Sequence, residues 1–303
     1  MKFLKNSYKI ILFLAFIFIT LVLINKFLTK NSEKSAMSSY SLEEKDYKIN
    51  FDGNNSTETL RVSKTSKGFN LILIDKDKEI SLGSLDNDEF LVDNLDFSSI
   101  NILNLSRNLK DQLLITGVKN NNNVTYLFGY LEDELKLIYK NDINVVYLKD
   151  YNSNRSPQFI TFHFYNNVTP FNSYYLLNDS FYDVTKTNLT KFNFNFLYEL
   201  MNIISLDYNL ENLPDIFDSS TNSDDISLLW KLDKDSYSYA FQNAIIKDKS
   251  FSNGSNLETI EAYLNFNKKN KSNNSVVPFK IKVVLKRNID DNFKVLSLYT
   301  VKK

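Results

Sequence analysis

Apolar residues follow two patterns along the chain: one uninterrupted run near the N-terminus and, after it, short runs that alternate with polar residues. The uninterrupted run covers residues 10–24, contains no charged residue and follows three lysines. As a helix it is about 23 Å long at ~1.5 Å per residue, shorter than the ~30 Å of a bilayer core. The flanking lysines can extend to the interface and residues 27–28 add apolar length, which closes most of the difference. The pattern predicts a transmembrane helix over residues 10–28.

The residues after this run indicate that it is retained. A cleavable signal peptide needs small residues soon after its apolar core, and residues 25–30 offer none. We therefore expect an uncleaved signal-anchor, with residues 1–9 as a short cytoplasmic tail and residues 29–45 as a polar stalk. Lysines are balanced on the two sides of the run. A long polar domain behind a lone anchor usually lies outside, which predicts a single-pass cell-membrane protein with residues 46–303 extracytoplasmic. The alternative is a cytoplasmic domain tethered to the inner face.

From about residue 46, the alternation of apolar and polar residues is typical of half-buried β-strands. Aromatic and β-branched residues are frequent, whereas alanine, a strong helix former, is rare. This part of the chain is therefore predicted to be all-β. The clearest strand-like runs are residues 70–74, 126–130, 159–164 and 279–285.

Similar polar loops recur along the β-rich part, each followed by an apolar run. Polar tight turns lie between the loops, so that each pass contains four strands in roughly 50 residues, the size of a β-propeller blade. The repeats predict a five-bladed, β-propeller-like domain. The loops start near residues 52, 104, 150, 207 and 253, and the tight turns lie at 75–78, 132–133, 178–179, 233–236 and 288–291.

The loop-then-strand pattern resembles the FG-GAP or VCBS class of propeller repeats, known from integrin α-chains and bacterial surface proteins. In that family an Asp-x-Asp-x-Asp-Gly loop often binds calcium. The resemblance covers most of residues 46–303. The sequence departs from the family pattern because the sixth loop position is not glycine and the Phe-Gly and Gly-Ala-Pro signatures are missing. The family is also better known with seven blades than with five.

Two other folds are consistent with the same pattern. One is an ordinary series of meandering sheets with Asn-rich turns. The other is a β-meander domain followed, from about residue 222, by an α+β domain. In that alternative residues 194–206 form a helix, and the last strands are residues 257–267, 277–287 and 292–301.

The repeat loops carry the candidate metal ligands. Oxygen-bearing side chains stand at the first, third and fifth positions, a spacing that lets a tight turn direct them onto one Ca²⁺ ion. Most are neutral amides, which weakens Ca²⁺ binding, and the same side chains also close turns by hydrogen bonds to the backbone. The best candidates are Asp150, Asn152 and Asn154 in one loop and Asp207, Asn209 and Glu211 in another.

Charge and composition narrow the possible functions. The chain has 36 basic and 36 acidic residues, and a formal net charge of zero argues against a nucleic-acid partner. Without cysteine and with His163 as the single histidine, it has no disulfide, no thiol catalysis and no histidine-based zinc site. The abundance of Asn, Lys, Ile, Phe and Tyr indicates a low-GC Gram-positive bacterium.

These observations predict a membrane-anchored, non-catalytic protein of the bacterial cell envelope that binds or scaffolds. Its expected partner is a protein or an envelope polymer. The partner is expected to contact loop surfaces that a rigid sheet array presents. One alternative is a carbohydrate-active enzyme that uses only carboxylates. Another is the ligand-sensing subunit of a membrane complex.

Overall fold

β-Strands make up most of the structure, which is a computed structural model of the chain. The chain divides into two units, residues 1–37 and 38–303. All described residues except Met37 belong to the second unit. The structure describes residues 37–39, 46–54, 56–64, 67–76, 78–93, 95, 100–106, 108–120, 122–150, 156–164, 171–177, 179–186, 193–206, 214–252, 256–288, 290 and 292–301.

The first nine strands form two sheets. A five-stranded sheet has the order β1-β6-β7-β8-β9 and a four-stranded sheet the order β2-β3-β4-β5. A short 3-10 helix, Gly83–Asp86, follows β5. The strands are β1 (Met37–Ser39), β2 (Tyr47–Ile49), β3 (Glu58–Lys64), β4 (Phe69–Asp75), β5 (Lys78–Ser81), β6 (Ile100–Leu103), β7 (Gln112–Lys119), β8 (Asn122–Leu131) and β9 (Glu134–Asn141).

The remaining strands form one eight-stranded sheet. Its order is β13-β12-β11-β10-β14-β15-β16-β17, and every neighbouring pair is antiparallel except β10 and β14, which run parallel. The strands are β10 (Val145–Lys149), β11 (Gln158–Phe162), β12 (Phe171–Leu177), β13 (Ser180–Asp183), β14 (Tyr237–Ser252), β15 (Asn256–Asn270), β16 (Val276–Arg287) and β17 (Phe293–Thr300).

Two helices lie between β13 and β14 in the chain: α1 (Asn195–Ser205) and α2 (Ser223–Trp230). The buried residues of α1 recur every three to four positions, which is the period of a helix with one apolar face. That face packs in a single core with Ile246 of β14, Leu264 of β15 and Val283 of β16. The buried residues of α1 are Phe196, Leu197, Leu200, Ile203 and Ile204.

A second core joins the four-stranded and five-stranded sheets. Leu60 and Leu71 of the first pack in one cluster with Leu113 and Tyr126 of the second, and all four side chains are fully buried. The Tyr126 hydroxyl donates a hydrogen bond to the backbone oxygen of Leu91, 3.1 Å away. The two sheets therefore share one hydrophobic interior.

The all-β prediction is confirmed, because strands dominate and the runs predicted around residues 72, 128, 160 and 282 lie in β4, β8, β11 and β16. The tight turn at Glu132 and Asp133 is confirmed too. Both residues have positive φ, 53° and 60°, as a two-residue β-hairpin loop requires.

The described strands do not form a closed five-bladed ring. They form four successive meanders, β2–β5, β6–β9, β10–β13 and β14–β17, and helices occupy the stretch where a further blade was expected. The third and fourth meanders join edge to edge through β10 and β14. Propeller blades are instead separate sheets arranged radially about a central channel.

The alternative with a separate α+β domain agrees with the structure in its elements but not in its domain boundary. The helix predicted over residues 194–206 is present as α1, and β15, β16 and β17 match the predicted last strands. A domain boundary near residue 222 would, however, separate β14–β17 from β10–β13, which belong to the same sheet. The strand pairing between β10 and β14 holds these parts together.

Within the described part of the chain, no helix is both long and apolar enough to cross a bilayer. The predicted transmembrane segment, residues 10–28, lies outside that part. So do the predicted tail and, apart from residues 37–39, the predicted stalk.

Candidate functional site

Of the six predicted metal ligands, the structure describes Asp150 alone. Its backbone N–H donates a hydrogen bond to Oδ2 of Asp248, 3.0 Å away. Across the described ranges, no three His, Asp or Glu residues group in a way that could hold a metal ion. The other predicted ligands, Asn152, Asn154, Asp207, Asn209 and Glu211, lie outside those ranges.

Two related loops are better described, and their polar side chains close turns. Oδ1 of Asp52 accepts a hydrogen bond from the backbone N–H of Asn54 at 3.0 Å, and Oδ1 of Asn54 accepts one from Ser56 at 2.8 Å. In the next loop, Oδ1 of Asn108 accepts from the backbone N–H of Lys110 at 3.2 Å. A side-chain oxygen bonded two residues ahead is the geometry of an Asx turn.

A cluster of charged side chains lies on the sheet of β14–β17. In an antiparallel pair, directly opposed residues project from the same face. Lys247 opposes Glu261, Tyr263 opposes Lys282, and Thr259 opposes Lys286. The opposite face is the one that packs against the helices. The lysine face therefore carries Lys247, Lys249, Lys269, Lys280, Lys282 and Lys286, together with Glu261 and Tyr263.

Three of these lysines converge on the carboxylate of Glu261. Nζ of Lys249 is 2.8 Å and Nζ of Lys282 is 2.9 Å from Oε1, and Nζ of Lys247 is 3.6 Å from Oε2. The side chain of Glu261 is 6% exposed and that of Lys247 is 12% exposed, whereas Lys249 is 45% exposed. The group formed by Lys247, Lys249, Glu261, Tyr263 and Lys282 is called the Glu261 cluster below.

Tyr263 provides a second contact for two of these lysines, Lys247 and Lys282, and contacts Lys280 as well. Nζ of Lys247 and Nζ of Lys282 each lie 5.5 Å from the centre of its ring, and Nζ of Lys280 lies 5.1 Å away. An ammonium group within about 6 Å of an aromatic face is attracted by the negative potential of the ring. Tyr263 thus holds the lysines close together without adding a formal charge.

The pKa values reflect this excess of positive charge. Burial raises the pKa of Glu261, but hydrogen bonds from Lys249 and Lys282 outweigh it and lower the pKa to about 2. Burial lowers the pKa of Lys247, and Lys282 and Lys249 lower it further, against the attraction of Glu261. Glu261 is therefore a fixed anion at neutral pH, and the cluster as a whole is cationic.

This arrangement is suited to binding an anion. Three ammonium groups share one carboxylate, and further lysines continue the positive charge along β16. The strands that carry them are interior strands of a sheet whose other face is packed against helices, so the site is built on a rigid support.

The net charge of the whole chain, which is zero, gives no sign of this positively charged surface. A local signal was present. Lysines stand two residues apart at positions 247 and 249, and again at positions 280 and 282. The second pair lies inside residues 279–285, a predicted strand. Alternation at a period of two puts such residues on one face of a strand.

Asp248 lies on the opposite face, next to the lysine face in sequence. Oδ1 of Asp248 accepts a hydrogen bond from the hydroxyl of Tyr147 at 2.6 Å, and Oδ2 accepts one from the backbone N–H of Asp150. Burial raises the pKa of Asp248 to about 7, although both hydrogen bonds oppose the rise. The group is a carboxyl that can be protonated near neutral pH.

The single histidine lies directly after β11. His163 is half-buried, and burial lowers its pKa, so that the ring is neutral at pH 7.

A cavity of about 190 Å³ lies beside the start of α1. Two of the asparagines that line it already accept hydrogen bonds from backbone N–H groups. Oδ1 of Asn193 accepts from the N–H of Asn195, and Oδ1 of Asn288 accepts from the N–H groups of Asp290 and Asn292. The cavity is smaller than the ~300–1,000 Å³ of ordinary small-molecule pockets. It is a weaker candidate than the lysine face.

Comparison of the chain with protein-family models, with curated proteins and with solved structures finds no match. The functional conclusion therefore depends on the geometry of the chain itself.

Proposed function

We propose that the protein is a membrane-anchored, extracytoplasmic binding protein of the bacterial cell envelope, without catalytic activity, and that it binds an anionic envelope polymer. The observation that carries the proposal is the lysine face. It concentrates positive charge on one side of a rigid sheet, although the chain as a whole is neutral.

The chemistry of the cluster favours binding over catalysis. A carboxyl that acts as a general acid needs a raised pKa so that it is protonated at the working pH. The pKa of Glu261 is lowered instead, because two lysines donate hydrogen bonds to it. Its role in the proposal is to position the lysines.

The proposal includes the N-terminal anchor and the repeat origin of the domain. Residues 10–28 span the membrane and keep the lysine face at a high local concentration near the cell surface. The successive four-stranded meanders derive from blade-like repeats of the FG-GAP type, arranged in an open, β-propeller-like array. Support comes from the apolar run and from the recurrence of four-strand units along the chain.

Two measurements on cells test this function. Protease treatment of intact cells digests an extracytoplasmic domain, and complete protection would contradict the proposed orientation. In-cell crosslinking followed by mass spectrometry identifies what the protein contacts. Recovery of envelope polymer that is released by high salt supports the proposal, whereas a stable protein neighbour without polymer would favour the scaffolding function.

A second candidate function, a carboxylate-dependent carbohydrate enzyme, is favoured by one observation. Asp248 is half-buried, has a pKa of about 7 and accepts a hydrogen bond from Tyr147. A raised carboxyl pKa is what a glycosidase acid requires. The variant Asp248→Asn separates the two functions. If the wild type hydrolyses a glycan and the variant does not, the enzyme is established. If the variant binds the polymer as the wild type does, the result agrees with the binding protein.

A further inference from the structure

The Glu261 cluster identifies the chemistry of the ligand more closely. We propose that it binds a phosphate group carried by a linear polymer of the cell envelope. This inference depends on the proposed function and specifies its ligand.

The charge of the cluster favours an anionic ligand. Lys247, Lys249 and Lys282 share the single carboxylate of Glu261, so the cluster keeps a net positive charge in a partly buried position. A second anion at the surface of the cluster relieves the repulsion between the lysines. Each ammonium group has three N–H donors, and one carboxylate has two oxygens with which to receive them.

The spacing of the lysine donors favours a tetrahedral oxyanion. Lys247 and Lys249 come from β14 and Lys282 from β16, on the two sides of the strand that carries Glu261. Their strands are therefore about 10 Å apart, twice the ~4.8 Å strand spacing. Ammonium groups that reach inward from both sides act as point charges around a tetrahedral oxyanion, which is how lysine binds phosphate.

The depth and length of the lysine face favour a polymer over a membrane surface. Lys247 is 12% exposed and Glu261 6%, whereas Lys249 and Lys282, at 45% and 28%, are the members of the cluster that a ligand can reach. A narrow chain can follow ammonium groups at different depths along the strands, whereas a flat bilayer meets only the side chains that protrude. Lys280, Lys282 and Lys286 continue along β16 over about 20 Å at ~3.3 Å per residue, which provides for more than one charge of a chain.

The experiment measures binding of labelled linear inorganic polyphosphate to the full-length protein in non-ionic detergent. Titrations are repeated between about 50 and 200 mM salt, since binding to a polyanion weakens as counterions compete. Two variants remove one cation each from the cluster, Lys249→Gln and Lys282→Gln. The matched control is Lys48→Gln, which removes an exposed cation from β2, outside the lysine face.

We expect each cluster variant to weaken polyphosphate binding about tenfold near 100 mM salt and to lower the slope of log K against log salt by about one. The control should change affinity by less than about twofold, because its charge is remote from the bound chain. Equal effects of Lys249→Gln and Lys48→Gln would overturn the assignment to this cluster. Thermal melts accompany each titration, and Lys249→Gln keeps the test decisive if Lys282→Gln fails to fold, since Lys249 is half-exposed.

Two further probes separate this inference from the proposed function. Polyglutamate of matched charge should bind more weakly than polyphosphate. Equal or tighter binding of polyglutamate would overturn the phosphate ligand and leave an anionic-polymer binding protein standing. Micelles doped with phosphatidylglycerol should not compete for the cluster, and competition that disappears in Lys249→Gln would assign it to lipid headgroups. Failure to bind either polyanion would contradict both proposals.

Discussion

Lys247 and Glu261 lie directly opposite each other on β14 and β15, with Nζ of the lysine 3.6 Å from Oε2 of the glutamate. Both side chains are largely buried, and Lys249 and Lys282 contact the same carboxylate. Burying a charge is unfavourable unless it is paired. Glu261 is therefore the group on which the stability of the whole cluster depends.

The variant Glu261→Gln should destabilise the protein by about 2–3 kcal/mol, because it leaves partly buried ammonium groups without their carboxylate. Chemical denaturation measures the change in the free energy of unfolding. The control Glu132→Gln removes an exposed partner of Lys136 and should leave the stability unchanged within error. Equal effects of the two substitutions would show that the Glu261 ion pairs contribute no more than surface pairs.

The contribution of Asp248 to the stability of the protein should fall as the pH rises from about 4 to about 7. Its folded-state pKa is about 7, above the usual value near 3.8, so the folded state binds more protons than the unfolded state in this range. The variant Asp248→Asn removes that difference. Its melting temperature should therefore vary less with pH than that of the wild type. Compared with the wild type at the same pH, the variant should be more stable at pH 8 than at pH 5.

Melting temperatures measured across this pH range check the prediction for Asp248. The substitution Asp235→Asn, which changes an exposed aspartate, serves as the control for the loss of a surface carboxylate. A profile for Asp248→Asn that parallels the wild type would show that the carboxyl of Asp248 titrates normally.

The hydroxyl of Tyr126 should contribute to the joining of the two N-terminal sheets. It donates to the buried backbone oxygen of Leu91 and lies 3.2 Å from Oδ2 of Asp86. Tyr126→Phe should cost about 1–2 kcal/mol, since the backbone oxygen is left without this donor in a buried position. Urea denaturation measures the loss. Tyr182→Phe, at a half-exposed tyrosine, should have no effect, and a similar loss in both variants would contradict this role.

Removal of divalent cations should leave the melting temperature unchanged. In the described loops, Asp52, Asn54 and Asn108 direct their side-chain oxygens to backbone amides, and this bonding requires no metal. The measurement is a thermal melt of the full-length protein with Ca²⁺ or with a chelator. A clear fall with the chelator would instead support the Ca²⁺ site predicted at Asp150 and Asp207.

Several features of this protein were determined by the sequence alone. The strands β4, β8, β11 and β16 and the turn at Glu132 and Asp133 follow from local patterns. Alternation at a period of two needs no information beyond the run itself, and a two-residue hairpin loop depends on the conformations of its own residues. The helix α1 was likewise visible as an alternative, because its apolar residues recur at the helical period.

Tertiary structure alone decided which strands are neighbours. The parallel pair of β10 and β14 joins segments that are far apart in the chain, and it changes two meanders from separate blades into one sheet. Such a pairing depends on how the whole chain buries its apolar surface, for which a local pattern contains no information. The register of the β14–β17 meander brings Lys247, Lys282 and Glu261 together. The net charge of zero does not indicate this cationic face. It sums the charges of all residues, whereas charges interact according to their distance in space.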